Sequence, residues 1–205
     1  MIDKIETRIK KLSSDFDQIP EERKKLLLEF SHYITKKMEA SEHVNLIFIC
    51  THNSRRSHMG QIWAQTAAAY FGITQVNCFS GGTEATAFNP RAVKTVQQSG
   101  FKVDKIDQFN NPLYQIFFDP DGKPLECFSK VYSDGYNPQS SFAAIMTCSD
   151  ADANCPVVLG AEARFPIRYD DPKAYDDTSV ESEKYQERFD QIGTEMLFVF
   201  ANINK

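Results

Sequence analysis

Cys50 and Arg56 are the residues whose types and spacing most directly suggest chemistry. Cys50 ends the apolar run HVNLIFIC at residues 43–50, and Arg56 follows it in the pattern C-x5-R-S. Open parallel sheets bind ligands at the carboxyl ends of their strands, so a thiol there is placed to meet a substrate. A guanidinium offers two parallel donors to a tetrahedral oxyanion. The helix N-terminus that follows favours both a bound anion and a thiolate. We therefore predict a sulfur nucleophile beside an oxyanion held by Arg56.

The loop between this strand and the next helix is expected to complete the site. Besides the arginine, the predicted oxyanion-binding loop consists of Thr51, His52, Asn53, Ser54, Arg55 and Ser57. Its backbone N–H groups are expected to point inward at the anion. We expect Ser57 to hydrogen-bond the Cys50 sulfur and Asn53 to brace the loop. His52 either hydrogen-bonds the anion or lies on the surface, and Arg55 either adds charge for anion capture or faces solvent.

A displacement on an oxyanion also needs an acid that protonates the departing oxygen. The segment YDDP at residues 169–172 offers Asp170 and Asp171 on a predicted strand-end loop that is able to face the same site. Acidic pairs before proline are also ordinary turn sequences. Because the C-x5-R-S pattern is present, we assign the acid role to Asp171.

The elements that must position these residues alternate between strand and helix. Apolar and β-branched runs predict strands at 43–50, 74–82, 141–150 and 164–172. Capping signals and apolar periodicity predict helices at 56–72, 89–100 and 179–203. This alternation predicts an α/β fold, with a parallel sheet that carries helices on both faces.

Two segments stand outside this alternation. Residues 1–42 predict two amphipathic helices, an N-terminal helical extension ahead of a catalytic domain at 43–205. Pro20 is expected at the first position of the second helix. The apolar stripes are expected to pack on the core or on a partner chain, so the extension is a candidate for pairing two chains into a homodimer. Residues 105–140 predict an inserted β-hairpin around a DPDG turn, either an ordinary surface insertion, a lid, or a contact that selects the reductant.

Composition excludes several other classes of protein. The chain has 205 residues, a net charge of −5 and a pI near 5.4, so a broad nucleic-acid interface is not expected. We expect no membrane span, because no apolar run reaches about 18 residues. The charged N-terminus lacks the apolar region of a signal peptide, and a cytoplasmic location is the expectation. Five cysteines without a C-x-x-C pair argue against a disulfide framework or a zinc site, so no metal is expected.

The C-x5-R-S motif at residue 50 and the late Asp-Pro pair resemble those of the low-molecular-weight protein tyrosine phosphatase superfamily. The segment FSGGTEATAFNP, which contains Ser80, also resembles a strand and loop of that family. The resemblance covers about residues 44–104 and 141–203. It implies a four-stranded parallel sheet with flanking helices.

Within the superfamily, the sequence closely resembles the thioredoxin-coupled arsenate reductases through CTxNSxRS, CSDADxxCP and DDP. This resemblance implies that Cys50 attacks arsenate and that Asp171 protonates the departing hydroxyl. It further implies that Cys148 attacks Cys50 to release arsenite. By the same resemblance, Cys155 then forms a disulfide with Cys148, and thioredoxin reduces that disulfide. No cofactor is implied.

Three further residues, Gln61, Cys78 and Cys127, are expected to have no part in the chemistry. Gln61 replaces an acidic residue that helps to bind potassium in some arsenate reductases, so we expect no potassium site. Cys78 and Cys127 have no assigned chemistry, and we expect both to be buried structural residues.

Two alternatives to arsenate reduction stay open. The first is a phosphatase for phosphotyrosine or small phosphate esters, which would use Cys50, Arg56 and Asp171 and would resolve its cysteinyl-phosphate with water. The second is a non-catalytic regulator that binds an oxyanion or metalloid. The pair Cys148 and Cys155 favours the reductase, and the full set of nucleophile, clamp and acid argues against the regulator.

Overall fold

The computed structural model of the chain describes residues 1–154 and 157–203. Its helices are α1 Asp3–Ser13, α2 Glu21–Glu39, α3 Arg56–Tyr70, α4 Pro90–Gln98, α5 Ser149–Asn154 and α6 Glu181–Ala201. Its strands are β1 Val44–Cys50, β2 Val76–Gly82, β3 Lys102–Lys105, β4 Tyr114–Phe117, β5 Leu125–Cys127, β6 Phe142–Met146 and β7 Ala161–Phe165. Most of the elements expected from the sequence are therefore present, and Cys155 lies outside the described residues.

A four-stranded parallel sheet in the order β2–β1–β6–β7 forms the centre of the molecule. In its register, Ile49 of β1 lies opposite Gly81 of β2 and Met146 of β6. The continuous apolar sequence of β1 suits this central place, because a strand covered on both faces is apolar throughout. The predicted fold class is confirmed, and the carboxyl ends of β1 and β6 lie side by side.

The first face of the sheet packs into the larger core, together with α3 and α6. Phe48 of β1 and Trp63 of α3 are fully buried there. The Trp63 ring centroid lies 5.2 Å from that of Phe189 on α6. A Cβ at Gly193 of α6 would lie only 2.7 Å from the Trp63 ring, so glycine lets the two helices approach closely. This packing fixes α3, and with it the loop that precedes it.

The second face is covered differently. Ile47 and Ile49 join a smaller buried cluster that also contains Cys50 and Cys148. The short helix α5 and the chain around Tyr132 pack on this face. Helices do lie on both faces, as predicted, but this face has only a six-residue helix and irregular chain. Two candidate thiols therefore share one small apolar cluster.

The N-terminal helices pack on the chain's own core, which decides between the two packing alternatives. Ile5 and Ile9 of α1 and Leu27 and Phe30 of α2 are fully buried in the larger cluster. The start of α2 differs from the prediction, because Pro20 is its N-cap residue rather than its first helical residue. The burial of these stripes gives no support to pairing of two chains, and a homodimer stays a prediction.

The inserted segment forms a small antiparallel sheet in the order β3–β4–β5. The predicted hairpin is confirmed, since Ile116 of β4 lies opposite Leu125 of β5. The third strand was not predicted; Val103 of β3 lies opposite Ile116 on its other side. Four residues without strong alternation give too little signal for a strand that forms only against a neighbour.

Two boundaries predicted from the sequence are wrong. The last strand of the central sheet covers Ala161–Phe165 rather than 164–172, because Pro166 has no N–H to continue the ladder. The strand predicted at 141–150 ends at Met146, and Ser149–Asn154 form helix α5 instead. Within the described part of the chain, no helix combines the length and apolar character that crossing a bilayer requires.

Candidate active site

Cys50 is the last residue of β1 and the loop after it leads directly into α3, as the sequence predicts. The Cys50 side chain is 4% exposed. Its Sγ lies 3.1 Å from the hydroxyl of Ser57 in the first turn of α3. The thiol therefore sits at the carboxyl end of a central strand, where a hydroxyl can donate to a thiolate.

A chain of hydrogen bonds runs from this thiol to the inserted segment. The side-chain Nδ2 of Asn53 donates to the Ser57 hydroxyl over 2.8 Å, and the side-chain Oδ1 accepts from the backbone N–H of Lys130 over 2.9 Å. Asn53 has a φ of 43°, a left-handed conformation that asparagine tolerates better than most residues. The expected bracing role of Asn53 thus has a structural basis, and the brace is anchored on the insertion.

The carbonyl groups of the loop are tied to residues outside it. The Thr51 carbonyl accepts from the N–H of Glu84 over 2.8 Å, and the His52 carbonyl accepts from the Ser129 hydroxyl over 2.9 Å. In a trans peptide the N–H points opposite to the C=O. Because these carbonyls point outward to Glu84 and Ser129, the N–H groups of the same two peptides point toward the inside of the loop. Such an arrangement suits a loop that presents its amides to an anion.

Gly82, at the end of β2, allows the loop to lie this close. A Cβ there would lie 2.3 Å from the carbonyl oxygen of Glu84 and 2.7 Å from both the N atom of Asn53 and the carbonyl oxygen of Thr51. All three contacts are with backbone atoms, so no side chain can move aside. The position of the loop therefore depends on glycine at residue 82.

Arg56 lies between the loop and the segment that contains Asp171. Its Nη1 donates to the backbone carbonyl of Tyr169 over 2.9 Å, and its Nη2 donates to the Asp171 carboxylate over 2.5 Å. The side chain is buried, yet its Nε has no hydrogen-bond partner among residues 1–154 and 157–203. A buried donor of a cation is costly to leave unpaired, and an oxyanion would satisfy it.

The structure brings Asp171, rather than Asp170, to this arginine. One Asp171 oxygen accepts from Arg56, and the other accepts from the backbone N–H of Lys173 over 3.0 Å. The Asp170 side chain is 95% exposed and lies 3.3 Å from Arg188. Asp171 is thus the carboxylate that lies beside Arg56, and its role as the acid stays a prediction.

Two loop residues with open alternatives face away from Arg56. The Nε of Arg55 donates to the Tyr185 hydroxyl over 2.7 Å, and its Nη2 lies 3.3 Å from Asp176. The guanidinium of Arg55 is thus bound to Tyr185 of α6 and to Asp176. The His52 side chain is half exposed and lies 3.8 Å from Glu84.

Cys148 lies beside the same loop, directly after β6. The last register pair of β1 and β6 is Ile49 and Met146, and Cys148 follows Met146 by two residues. Its Sγ is 3.5 Å from the Thr51 hydroxyl and 3.4 Å from the backbone N of Ala151 in α5. The side chain is completely buried. The two thiols that the sequence links by chemistry are thus held on adjacent strand ends.

Sequence reasoning missed two buried polar residues behind the loop. His58 of α3 is fully buried, bonds Ser80 through Nδ1 over 3.1 Å, and stacks on Phe88. Burial and the nearby ammonium of Lys130 lower the pKa of His58 well below its usual range. Lys130 is itself only 2% exposed, and burial lowers the pKa of its ammonium. His58 could have been noticed next to Ser57, whereas nothing in the sequence connects residue 130 with the loop.

Cys78 and Cys127 are buried, as expected. Burial raises the pKa of Cys127 to about 12 and that of Cys78 still further. Among the described residues, Cys50, Cys78, Cys127 and Cys148 are all free thiols. No group of three or more histidine, cysteine or acidic side chains in the described chain is placed to hold a metal ion.

A thiol, a buried guanidinium and a carboxylate thus lie around one loop, an arrangement that can bind a tetrahedral oxyanion. The sequence profile of the low molecular weight phosphotyrosine protein phosphatase family matches residues 45–115. An arsenate reductase of Bacillus licheniformis is 29% identical over 149 residues, which are 72% of this chain and 88% of that protein. Arsenate reductase 2 of Staphylococcus epidermidis is 28% identical over 132 residues, which are 62% and 77%.

Solved structures show the same fold. A YwlE mutant from Bacillus subtilis superposes with a TM-score of 0.53 at 16% identity, covering 79% of this chain and 99% of that one. A low molecular weight protein tyrosine phosphatase from T. tengcongensis superposes with a TM-score of 0.52 at 14% identity, covering 77% and 98%. Together with the sequence match over residues 45–115, this likeness makes the chain similar in sequence and in fold to the low molecular weight protein tyrosine phosphatases.

Proposed function

We propose that this protein is an arsenate reductase that works through a three-cysteine relay. The observation that carries the proposal is the second thiol, Cys148, buried beside the oxyanion loop in the same cluster as Cys50. A phosphatase resolves its covalent intermediate with water and needs no such thiol. Arsenate reductases of Bacillus licheniformis and Staphylococcus epidermidis are among the relatives that this chain matches.

In the first step, arsenate occupies the loop with its oxygens on the loop amides and on Arg56. The Nε of Arg56, which has no partner within the described part of the chain, supports this placement. The Cys50 thiolate attacks arsenic, an S–As bond forms, and one As–O bond breaks. Asp171 protonates the departing hydroxyl, which leaves as water. Ser57 stabilises the thiolate before the attack through its contact of 3.1 Å.

In the second step, the Cys148 thiolate attacks the Cys50 sulfur. The Cys50–Cys148 bond forms, and the S–As electron pair stays on arsenic. Arsenic is thereby reduced from As(V) to As(III) and leaves as arsenite, while two thiols become one disulfide. Cys155 then attacks Cys148, frees Cys50 and leaves a Cys148–Cys155 disulfide.

Completing the cycle requires an external dithiol, which we propose is a thioredoxin-like reductant. Such a reductant suits a reducing cytoplasm. Because α5 holds Cys148 through the contact with the Ala151 N atom, the relay also requires this short helix to open. A six-residue helix is marginal by itself, so opening it is a small perturbation.

A phosphatase is the second candidate. Cys50, Arg56 and Asp171 form a complete set for ester hydrolysis without any second thiol. Cys148 is completely buried, and its sulfur already accepts from a backbone amide, so water would resolve the intermediate if α5 stayed closed.

The test is arsenate-dependent NADPH oxidation with thioredoxin and thioredoxin reductase, measured beside hydrolysis of para-nitrophenyl phosphate. We expect the wild type to reduce arsenate repeatedly. Cys148→Ser should stop turnover with arsenate and keep any ester hydrolysis, and Cys50→Ser should abolish both. Cys78→Ala is the matched control, because it removes a buried thiol outside the site and should retain both activities.

Two results would contradict the relay. One is arsenate turnover by Cys148→Ser at the rate of the wild type. The other is loss of ester hydrolysis in a folded Cys148→Ser protein. Ester hydrolysis without arsenate turnover, with thioredoxin and also with glutathione and glutaredoxin, would identify the protein as a phosphatase.

A further inference from the structure

The catalytic arginine and the acid both depend on residues 168–171, which we call the acid segment. Arg56 donates to the backbone carbonyl of Tyr169 and to the Asp171 carboxylate. The acid segment follows β7 and precedes a 3₁₀ turn, so it lies in irregular chain. One backbone bond ties it to the end of β6, since the N–H of Tyr169 donates to the carbonyl of Thr147 over 3.0 Å, and side-chain contacts supply the rest of its support.

One group of side-chain contacts with the acid segment comes from Arg23 in α2 of the N-terminal helical extension. The Nη2 of Arg23 donates to the carbonyl of Arg168 over 3.1 Å, and its guanidinium lies 4.9 Å from the centre of the Tyr169 ring. Arg23 also donates to Glu195 of α6 through Nε over 3.1 Å and through Nη2 over 2.7 Å. The Tyr169 hydroxyl donates to the same Glu195 carboxylate over 2.7 Å.

This cluster is largely removed from water. Only 4% of the Glu195 side chain and 18% of the Arg23 side chain are exposed. Burial and the adjacent Glu195 carboxylate raise the pKa of Tyr169 well above its usual range, so the phenol stays a hydrogen-bond donor. Removing one member of a buried charged pair leaves the other uncompensated, and the surroundings must rearrange. Here those surroundings are the acid segment.

We infer that Arg23 is a positioning residue for the active site: through Glu195 and Tyr169 it sets the place of the backbone carbonyl that holds Arg56. The inference rests on the role proposed above for Arg56 as the oxyanion clamp. Arg23 lies in the N-terminal extension, which is outside the segments that resemble the family. The extension thereby acts on the chemistry as well as on the core.

Arg8 provides a matched control in the same extension. Its Nη1 lies 3.4 Å from Asp190, an acidic residue on α6. Asp190 also accepts from Gln186 of the same helix, and neither residue contacts the acid segment. Arg8→Gln therefore removes a longer and more exposed ion pair between the extension and α6 without touching the connection to Arg56.

The experiment measures how fast Cys50 is alkylated by iodoacetate and by iodoacetamide, with the modified site read by mass spectrometry. Iodoacetate carries a carboxylate that Arg56 can bind, whereas iodoacetamide reports thiolate reactivity alone. The ratio of the two rates measures anion capture and is insensitive to a general loss of stability. We expect the wild type to react faster with iodoacetate than with iodoacetamide. Added arsenate should suppress this preference.

Arg23→Gln should lower this ratio roughly tenfold, the scale of one charge-assisted hydrogen bond, while Arg8→Gln stays within about twofold of the wild type. Arg23→Lys keeps the charge but not the planar fork, so it should fall between them. If Arg23→Gln fails to fold, Tyr169→Phe decides, because it removes only the hydroxyl that bonds Glu195 and should lower the ratio roughly threefold.

An unchanged ratio in a folded Arg23→Gln protein, or in Tyr169→Phe when that variant decides, would overturn the inference. So would equal losses in Arg23→Gln and Arg8→Gln. A wild type without preference for iodoacetate would refute the clamp itself, and the inference with it. Because labelling needs neither turnover nor reductant, a failure of arsenate reduction with a normal ratio would count against the proposed function alone.

Discussion

Replacing Gly82 by alanine should damage the active site far more than it damages the fold. The added methyl group would enter the space between the end of β2 and the oxyanion loop. It would lie 2.7 Å from the N atom of Asn53 and from the Thr51 carbonyl oxygen, where ordinary contacts begin at 3.4 Å. Since these atoms are backbone, the loop itself must move, by roughly 0.7 Å in the least disruptive case.

The expected magnitudes follow from that displacement. Overpacking of this kind costs about 1–3 kcal/mol of unfolding free energy, which a domain of this size usually survives. A misplacement of about 1 Å in a catalytic group can cost on the order of a hundredfold in rate. We therefore expect kcat/KM with the oxyanion substrate to fall by roughly 30- to 100-fold while the protein stays folded.

The assay compares Gly82→Ala with Gly135→Ala, a glycine in the inserted segment. A Cβ at Gly135 would meet no atom within 4 Å, so that variant should match the wild type in both respects. Steady-state kinetics gives kcat/KM, and thermal unfolding followed by circular dichroism gives the stability. If folded Gly82→Ala retains kcat/KM within about threefold of the wild type, the loop is not held by this close approach.

Three further predictions concern single side chains. Ser57→Ala removes the hydroxyl beside the Cys50 sulfur, so alkylation of Cys50 by iodoacetamide at pH 7 should slow roughly fivefold, and an unchanged rate would refute its role. His58 is buried and neutral, so it takes up a proton only when the protein unfolds. It should therefore lower the free energy of unfolding by about 1.4 kcal/mol for each pH unit below about 6.5. Denaturant titrations from pH 7 to 5 should show this contribution in the wild type and not in His58→Gln. Cys78 and Cys127 should resist a disulfide reagent at pH 8 in the native protein and react after denaturation, because burial keeps both protonated.

Much of the fold follows from local patterns. The apolar run that ends at Cys50 predicts a central strand, because only a strand covered on both faces is continuously apolar. Pro90 after Asn89 correctly predicts the start of α4, where the Asn89 side chain accepts from the N–H of Arg91 over 2.9 Å. The C-x5-R-S spacing brings Cys50, Arg56 and Ser57 to one loop because strand, turn and helix are consecutive in the chain.

The parts that could not be predicted depend on contacts distant in sequence. Lys130 and Ser129 support the loop from the inserted segment, but no pattern in residues 105–140 specifies where the chain returns after the hairpin. The expectation of an ordinary surface insertion is therefore incomplete, since its end binds the loop. Arg23 likewise looks like any charged residue near a helix start until Glu195 and Tyr169 are placed beside it.

The sequence divides into an extension at 1–42 and a catalytic domain at 43–205, but the two segments share one hydrophobic core. Ile9 and Leu27 from the extension are buried in the same cluster as Trp63 and Phe189, so removing residues 1–42 would expose one side of α6. Exposed apolar surface of that kind costs about 25 cal/mol per Å², a large fraction of a stability of only 5–15 kcal/mol. We therefore expect the full chain to unfold in one transition and a chain of residues 43–205 to lack a stable fold; separate unfolding of the two segments would contradict this. Point substitutions such as Arg23→Gln, rather than truncation, are for this reason the way to test what the extension does for the chemistry.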